Sequence, residues 1–255
     1  MDPATLIGVL VGFLIVIVVN VLEGGNPMAL FLLPPMLLVF GVTLLISLAG
    51  GTMGDAKLAM RGLVRAFTAG APNSAKLVPQ LVSCADKARR EGLLALEDAV
   101  AELDDEFLAR ALTMAIDGTD PEELRDILEA EVQAKRAEVK QAARFWNSAG
   151  GYAPTIGIVG TVMGLVHVLE QLAQPEKLGH LIAGAFVATL WGVMSANVIF
   201  LPIGARLIRL GELEAAQMEL VIEGVAAVQA GSNPRIVAQR LRSLLPVGQR
   251  QEEAA

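Results

Sequence analysis

Few side chains in this sequence could do chemistry, and most of those lie inside apolar runs. The stretches 151–172 and 181–203 hold Thr155, Thr161, His167, Thr189, Ser195 and Asn197. Thr161 shares a helical face with Gly157 and Gly164, and Thr189 shares one with Ala185, Gly192 and Ala196. A threonine in a membrane helix ordinarily bonds the carbonyl of its own preceding turn. Two of them on the small-residue faces of neighbouring helices could instead line a narrow polar path, for which Thr155 is a further candidate. His167 lies about 120° round from Thr161 and reads as a packed residue rather than a proton relay.

The chemistry these stretches lack is equally telling. No Asp, Glu, Lys or Arg lies deep in any apolar run, Glu170 standing near the end of its own. A protein that moves ions normally puts an ionisable group in the membrane, because a bare ion in hydrocarbon is prohibitively costly. If this chain conducts ions, the titrating group comes from another chain. There is no GxxxxGK[ST] loop and no GxGxxG. The two histidines and one cysteine make no metal-ligand spacing. Neither an enzyme nor a cofactor or metal site is expected, and a net charge of -7 offers no footprint for nucleic acid. The lone Cys84 implies no oxidising compartment.

The elements that must position these groups follow from the hydropathy pattern. Four windows are long and apolar enough to cross a bilayer, which takes about 20 helical residues: 4–22, 28–48, 151–172 and 181–203. Of 20 Lys and Arg, 13 fall between the second and third windows and six after the fourth, leaving only Lys177 in the short connections. Basic excess marks the cytoplasmic side. Both termini and the middle segment are therefore assigned to the cytoplasm, and the loops 23–27 and 173–180 to the outside. No cleavable signal precedes the first window.

The fold class is all-α: a membrane hairpin at 1–49, a helical cytoplasmic domain at 50–150, a second hairpin at 151–204 and cytoplasmic helices at 205–255. Asp120-Pro121-Glu122-Glu123 opens a helix that runs without a breaker into the third window. The fourth extends past Pro202 to about Val228, and Asn233-Pro234 opens a short last helix. The tail 248–255 reads as disordered.

Small residues recur at helical spacing. Gly157, Gly160 and Gly164 mark the third window; Gly184, Ala188, Gly192 and Ala196 mark the fourth at strict four-residue intervals. Such faces let helix backbones approach closely in lipid. With Gly8 and Gly12 in the first window, there is more close-packing surface than two hairpins need, which points to a homo-oligomer. Pro154 and Pro202 each remove a backbone hydrogen bond at similar depth near the cytoplasmic face. They read either as simple kinks or as a paired hinge.

Several segments together resemble one family. Ala88-Arg89-Arg90-Glu91-Gly92-Leu93-Leu94-Ala95-Leu96-Glu97 is similar to the cytoplasmic signature of MotA/PomA-type flagellar stator subunits. Tyr152–Gly160 is similar to the start of their third span, and Phe200-Leu201-Pro202 to the end of their fourth. Residues 22–27 and 231–235 fit the family's first loop and C-terminal region. The resemblance covers essentially the whole chain. It implies a ring of five subunits in the bacterial inner membrane, around a MotB/PomB-type partner that supplies the ion-binding Asp and a peptidoglycan anchor. Ion flow would turn the ring, which drives the rotor switch protein. It also implies rotor contacts at Arg89 and Glu97, with Arg90 and Asp98 beside them. Read from the residues alone, those charges are a solvated helix face. Thr161 and Thr189 match positions associated with sodium-type members, so sodium is the ion they point to, with protons the alternative. The nearest rival is an ExbB/TolQ-type energiser, which has a single span before its cytoplasmic domain; a non-conducting membrane scaffold is the other.

Overall fold

The computed structural model describes residues 4–246 and 249. Among these there are nine helices, three short 3-10 turns and no strand. The helices are α1 (Ala4–Leu22), α2 (Leu33–Ala49), α3 (Met53–Thr68), α4 (Leu77–Glu91), α5 (Glu97–Ala101), α6 (Glu106–Ile116), α7 (Pro121–Glu170), α8 (Pro175–Gln229) and α9 (Pro234–Leu244). Expected disorder at 248–255 falls outside the described residues apart from Gln249. The chain divides into two compact units, one of residues 1–70 and 138–210, the other of 71–137 and 211–255.

The first unit holds the apolar helices. α1 and the C-terminal part of α7 are long and apolar enough to cross a membrane, as is the N-terminal part of α8; α2 is shorter at 17 residues. Side chains of α1 are nowhere buried within the chain, so lipid or another chain must cover them.

Two boundaries differ from expectation. The second window, 28–48, is not one helix: a 3-10 turn at Pro27–Leu30 comes first, and the helix begins at Leu33. Pro34 and Pro35 have no N–H to give the carbonyls a turn earlier, so they are tolerated only in a first turn. The loop expected at 173–180 is shorter, because α8 starts at Pro175 with Glu176 in its first turn. Proline is preset for the first helical position, and the acid favours the positive helix end.

α7 runs 50 residues without interruption, its first turn capped by the Asp120 carboxylate, which accepts from the Glu122 and Glu123 N–H groups. The expected helix at Asn233-Pro234 forms, with Asn233 accepting the Arg235 N–H.

The second unit packs as a water-soluble helical domain does. Leu81, Leu96, Leu108, Leu112, Leu124, Leu128, Leu220 and Leu241 are at most 2% exposed. Each such side chain removed from water contributes about 2 kcal/mol. Around them runs a layer of ion pairs. Arg125 meets Glu223 at 2.8 Å, Glu223 also holds Arg240, and Arg136 meets Glu219 at 2.8 Å. The Glu223 hydrogen bond raises the Arg125 pKa further above its ordinary range. Cys84 is buried in this core, and desolvation pushes its thiol up.

Candidate functional site

The glycine faces of α7 and α8 meet backbone to backbone. A Cβ added at Gly192 would stand 2.7 Å from the Ala153 carbonyl oxygen and 2.9 Å from the Gly157 Cα. One at Gly157 would meet the Ala188 carbonyl at 2.9 Å, and one at Gly164 the Ala185 Cβ at 2.6 Å. Gly160 is closed off on two sides, by Ala188 of α8 and by Leu38 of α2. Ala188 and Ala196 are buried. Gly184 stands apart from this contact, with only a Leu32 methyl group within reach, at 3.8 Å.

That close approach brings Thr161 and Thr189 together. Their hydroxyls are within hydrogen-bond distance of each other. Thr161 Oγ1 also lies 3.2 Å from the Gly157 carbonyl and 3.0 Å from that of Ala185, while Thr189 Oγ1 lies 3.4 Å from the Gly157 carbonyl. Four oxygens from two helices thus converge on one half-buried spot. The own-turn bond that membrane threonines ordinarily make is present for Thr161, but as one of three. Oxygen-only ligand sets suit hard cations. Thr155 does not join the pair: it is exposed, six residues earlier and about 120° round the helix.

Pro154 sits inside α7, which continues through it. Pro202 follows a segment of wider π turns at Ser195–Phe200 within the fourth apolar helix. Having no N–H for the Val198 carbonyl, Pro202 leaves the turn before it without its usual bond, and wide turns collect at such places. A second π segment, Leu37–Val42, lies in α2, and Phe40 of that segment touches Phe200 with ring centres 6.1 Å apart.

Trp191 was not singled out in the sequence, yet it ties this unit together. Its indole N–H donates to the Leu30 carbonyl at 2.6 Å, and its ring packs on Phe13, Phe31 and Phe40. Trp146 likewise donates to the Ala59 carbonyl at 3.1 Å. A lone tryptophan in an apolar run was the available signal, because its N–H must find an acceptor when buried.

In the second unit, Arg89 and Arg90 end α4, while Glu97 and Asp98 open α5. All four are exposed. Gly92, at φ 88°, and the turn Leu93–Leu96 connect the two helices. Cations at a helix C-terminus and acids at an N-terminus both match the helix dipole. Arg90 pairs with Asp86 at 2.7 Å. Between these charges Leu94 is 70% exposed, a large apolar side chain that the charge pattern alone had hidden.

Comparison with known proteins fits this arrangement. The sequence profile described as the MotA/TolQ/ExbB proton channel family matches residues 99–220. "Motility protein A" of Bacillus subtilis is 35% identical over 98% of this chain and 93% of its own length. The chain belongs to the motility protein A family. Two solved structures share the fold of this family member from end to end. "Structure of C. jejuni MotAB" superposes with a TM-score of 0.93 at 31% identity, over 97% of each chain. "Structure of the flagellar MotAB stator complex from Bacillus subtilis" gives 0.91 at 35% identity, over 100% of each. The family member is an all-α integral membrane protein with four membrane helices, and its function is that of a flagellar stator subunit.

Proposed function

We propose that five copies of this chain form a ring around a MotB/PomB-type partner in the bacterial cytoplasmic membrane, conduct ions with that partner and pass torque to the rotor switch protein. The full-length match to a flagellar MotAB stator complex carries this reading. The partner supplies the titrating carboxylate that the apolar helices lack. The distribution of Lys and Arg supports a cytoplasmic side for both termini and the second unit.

The ion passes the oxygen cluster of Thr161 and Thr189, and sodium is the ion we assign to it, since hydroxyl and carbonyl oxygens can replace part of a hard cation's hydration shell. Thr155 lines the same route at another level. Pro154 and Pro202 act as the hinge between the membrane helices and their cytoplasmic extensions. Arg89, Arg90, Glu97 and Asp98 meet the rotor. The interface of Gly157, Gly160, Gly164, Ala188, Gly192 and Ala196 holds α7 and α8 at fixed spacing, and Gly184 stands outside it.

The test is swimming in a strain without its own stator, complemented with this chain and its genomic neighbour. Swimming only with sodium present supports the full proposal. Sodium-independent swimming replaces sodium by protons. Membrane insertion of both proteins without any swimming removes the stator proposal.

A further inference from the structure

Below the inner end of α2, the first unit has a polar cleft of about 330 Å³ lined by Ser47, Gly50, Gly51, Asp55, Lys140, Gln141, Arg144, Phe145 and Ser148. Lys140, Gln141, Arg144, Phe145 and Ser148 follow one face of α7 at helical spacing.

The charges in this cleft are out of balance. Both oxygens of its one carboxylate are taken by neutral donors: Asp55 Oδ2 accepts the Thr52 N–H at 2.8 Å, and Oδ1 accepts the Gln141 amide. Among the described residues neither Lys140 nor Arg144 has a carboxylate within ion-pair distance, and Arg144 acts on Asp55 only at longer range. Two cations therefore face one occupied acid, beside the Ser148 hydroxyl and the open Gly50-Gly51 backbone.

The depth of the cleft identifies what neutralises them. α2 ends at Ala49, so the cleft begins where an apolar helix gives way to polar backbone. Ser148, Arg144 and Lys140 lie about 5, 10 and 16 Å along α7 before the apolar stretch that starts at Gly151. The headgroup layer is about 5–7 Å thick on each side of the hydrocarbon, so Ser148 stands within it, the long Arg144 side chain extends back to it, and Lys140 lies about one Debye length beyond it. Basic pockets at this level on the cytoplasmic side suit lipid headgroups.

We propose that this cleft binds the phosphate of an anionic glycerophospholipid of the inner leaflet, with Arg144 neutralising it, Lys140 adding to the local positive field, the Ser148 hydroxyl donating to it and Phe145 packing on its glycerol. The same phosphate chemistry exists in soluble phosphate esters; the membrane level of the cleft favours lipid. The assignment of side uses the topology proposed above.

Native mass spectrometry of the full-length chain, co-purified with its partner and titrated with phosphatidylglycerol, tests the site. At about fivefold per basic residue, the Lys140→Gln/Arg144→Gln double variant binds phosphatidylglycerol roughly 25-fold more weakly. Each single variant shows about one fivefold step, which keeps the test sound should the double variant not assemble. Phosphatidylcholine binds weakly to all forms, and Lys177→Gln, at the other end of the membrane helices, changes nothing. Equal phosphatidylglycerol affinity in wild type and variants overturns the proposal. So does millimolar inorganic phosphate that displaces phosphatidylglycerol fully, which makes a soluble anion the ligand. A fall in subunit number in both single variants also overturns it, by assigning the two cations to a neighbouring copy. Failure of the stator proposal itself would appear as absent swimming with this lipid dependence intact.

Discussion

The two units of this chain hold their helices together by different means. In the unit of residues 71–137 and 211–255 a leucine-rich core is shut away from water, and cations on its surface pair with glutamates. In the unit of residues 1–70 and 138–210 many large apolar side chains point outward, Leu6, Leu10, Leu14, Val162, Met163 and Phe186 among them, although Trp146, Trp191, Phe200 and Ile203 are buried. Its closest helix contact is made by Gly157, Gly160, Gly164, Ala188 and Gly192. Where lipid is as apolar as leucine, burying leucine gains little, and close backbone packing must supply the attraction. The second unit is thus held by a leucine core, and the α7–α8 contact of the first by the absence of side chains.

The sharpest way to break this contrast is to add volume where the first unit has none. Gly192→Val sets two methyl groups against the Ala153 carbonyl and the Gly157 Cα, so α7 and α8 must separate and swimming is expected to vanish. Gly184→Val, on the same helix but with only a Leu32 methyl group within 4 Å of the added Cβ, is expected to leave swimming nearly unchanged. Equal loss in both would mean that the small residues of α8 are not set by this contact.

A smaller effect is expected from removing volume in the second unit. Leu112→Ala leaves a cavity in a fully buried site and costs about 3 kcal/mol, measured as a shift in the denaturation midpoint of the purified complex. Thr161→Ala is milder for stability, at about 0.6 kcal/mol for a polar contact between membrane helices. Its larger effect should be on ion preference, read from swimming speed against sodium concentration. A variant that keeps its full sodium dependence would remove Thr161 from the path.

The smallest effect concerns pH. The Thr52 N–H, then the Gln141 amide and the nearby Arg144 hold the Asp55 carboxyl below its ordinary pKa of 3.8. A depressed carboxylate stabilises the folded state above its unfolded pKa and loses that contribution as pH falls through the folded one. Hydrogen-exchange protection at the start of α3 should thus be flat near neutrality and fall only in acid below that ordinary value. Asp55→Asn should remove the acid dependence and lower the neutral value to the level the wild type reaches in acid.

Much of this was legible because the bilayer simplifies the code. Runs cleared of charge gave the membrane helices, and Asp120-Pro121 and Asn233-Pro234 gave two helix starts correctly. The glycine spacings marked the faces that meet. The start of α2 was misplaced because apolar composition masked the effect of Pro34 and Pro35. The mutual contact of Thr161 and Thr189 was beyond reach, since it depends on the register between two helices and not on either one. The same holds for Trp191 with Leu30 and for Asp55 with Gln141, pairs separated by 161 and 86 positions.

The division into units also bears on how the protein is made. Each unit is assembled from two separate stretches of chain. The ribosome finishes residue 70 and reaches residue 210 only about 140 residues later, on the order of ten seconds at ~5–20 residues per second. During that interval α1 and α2 are already emerging, and the helices that will cover Val39 and Phe40 do not yet exist. The early hairpin must survive on what the lipid alone can offer. An α1 with no side chain buried in the finished fold is well suited to that wait.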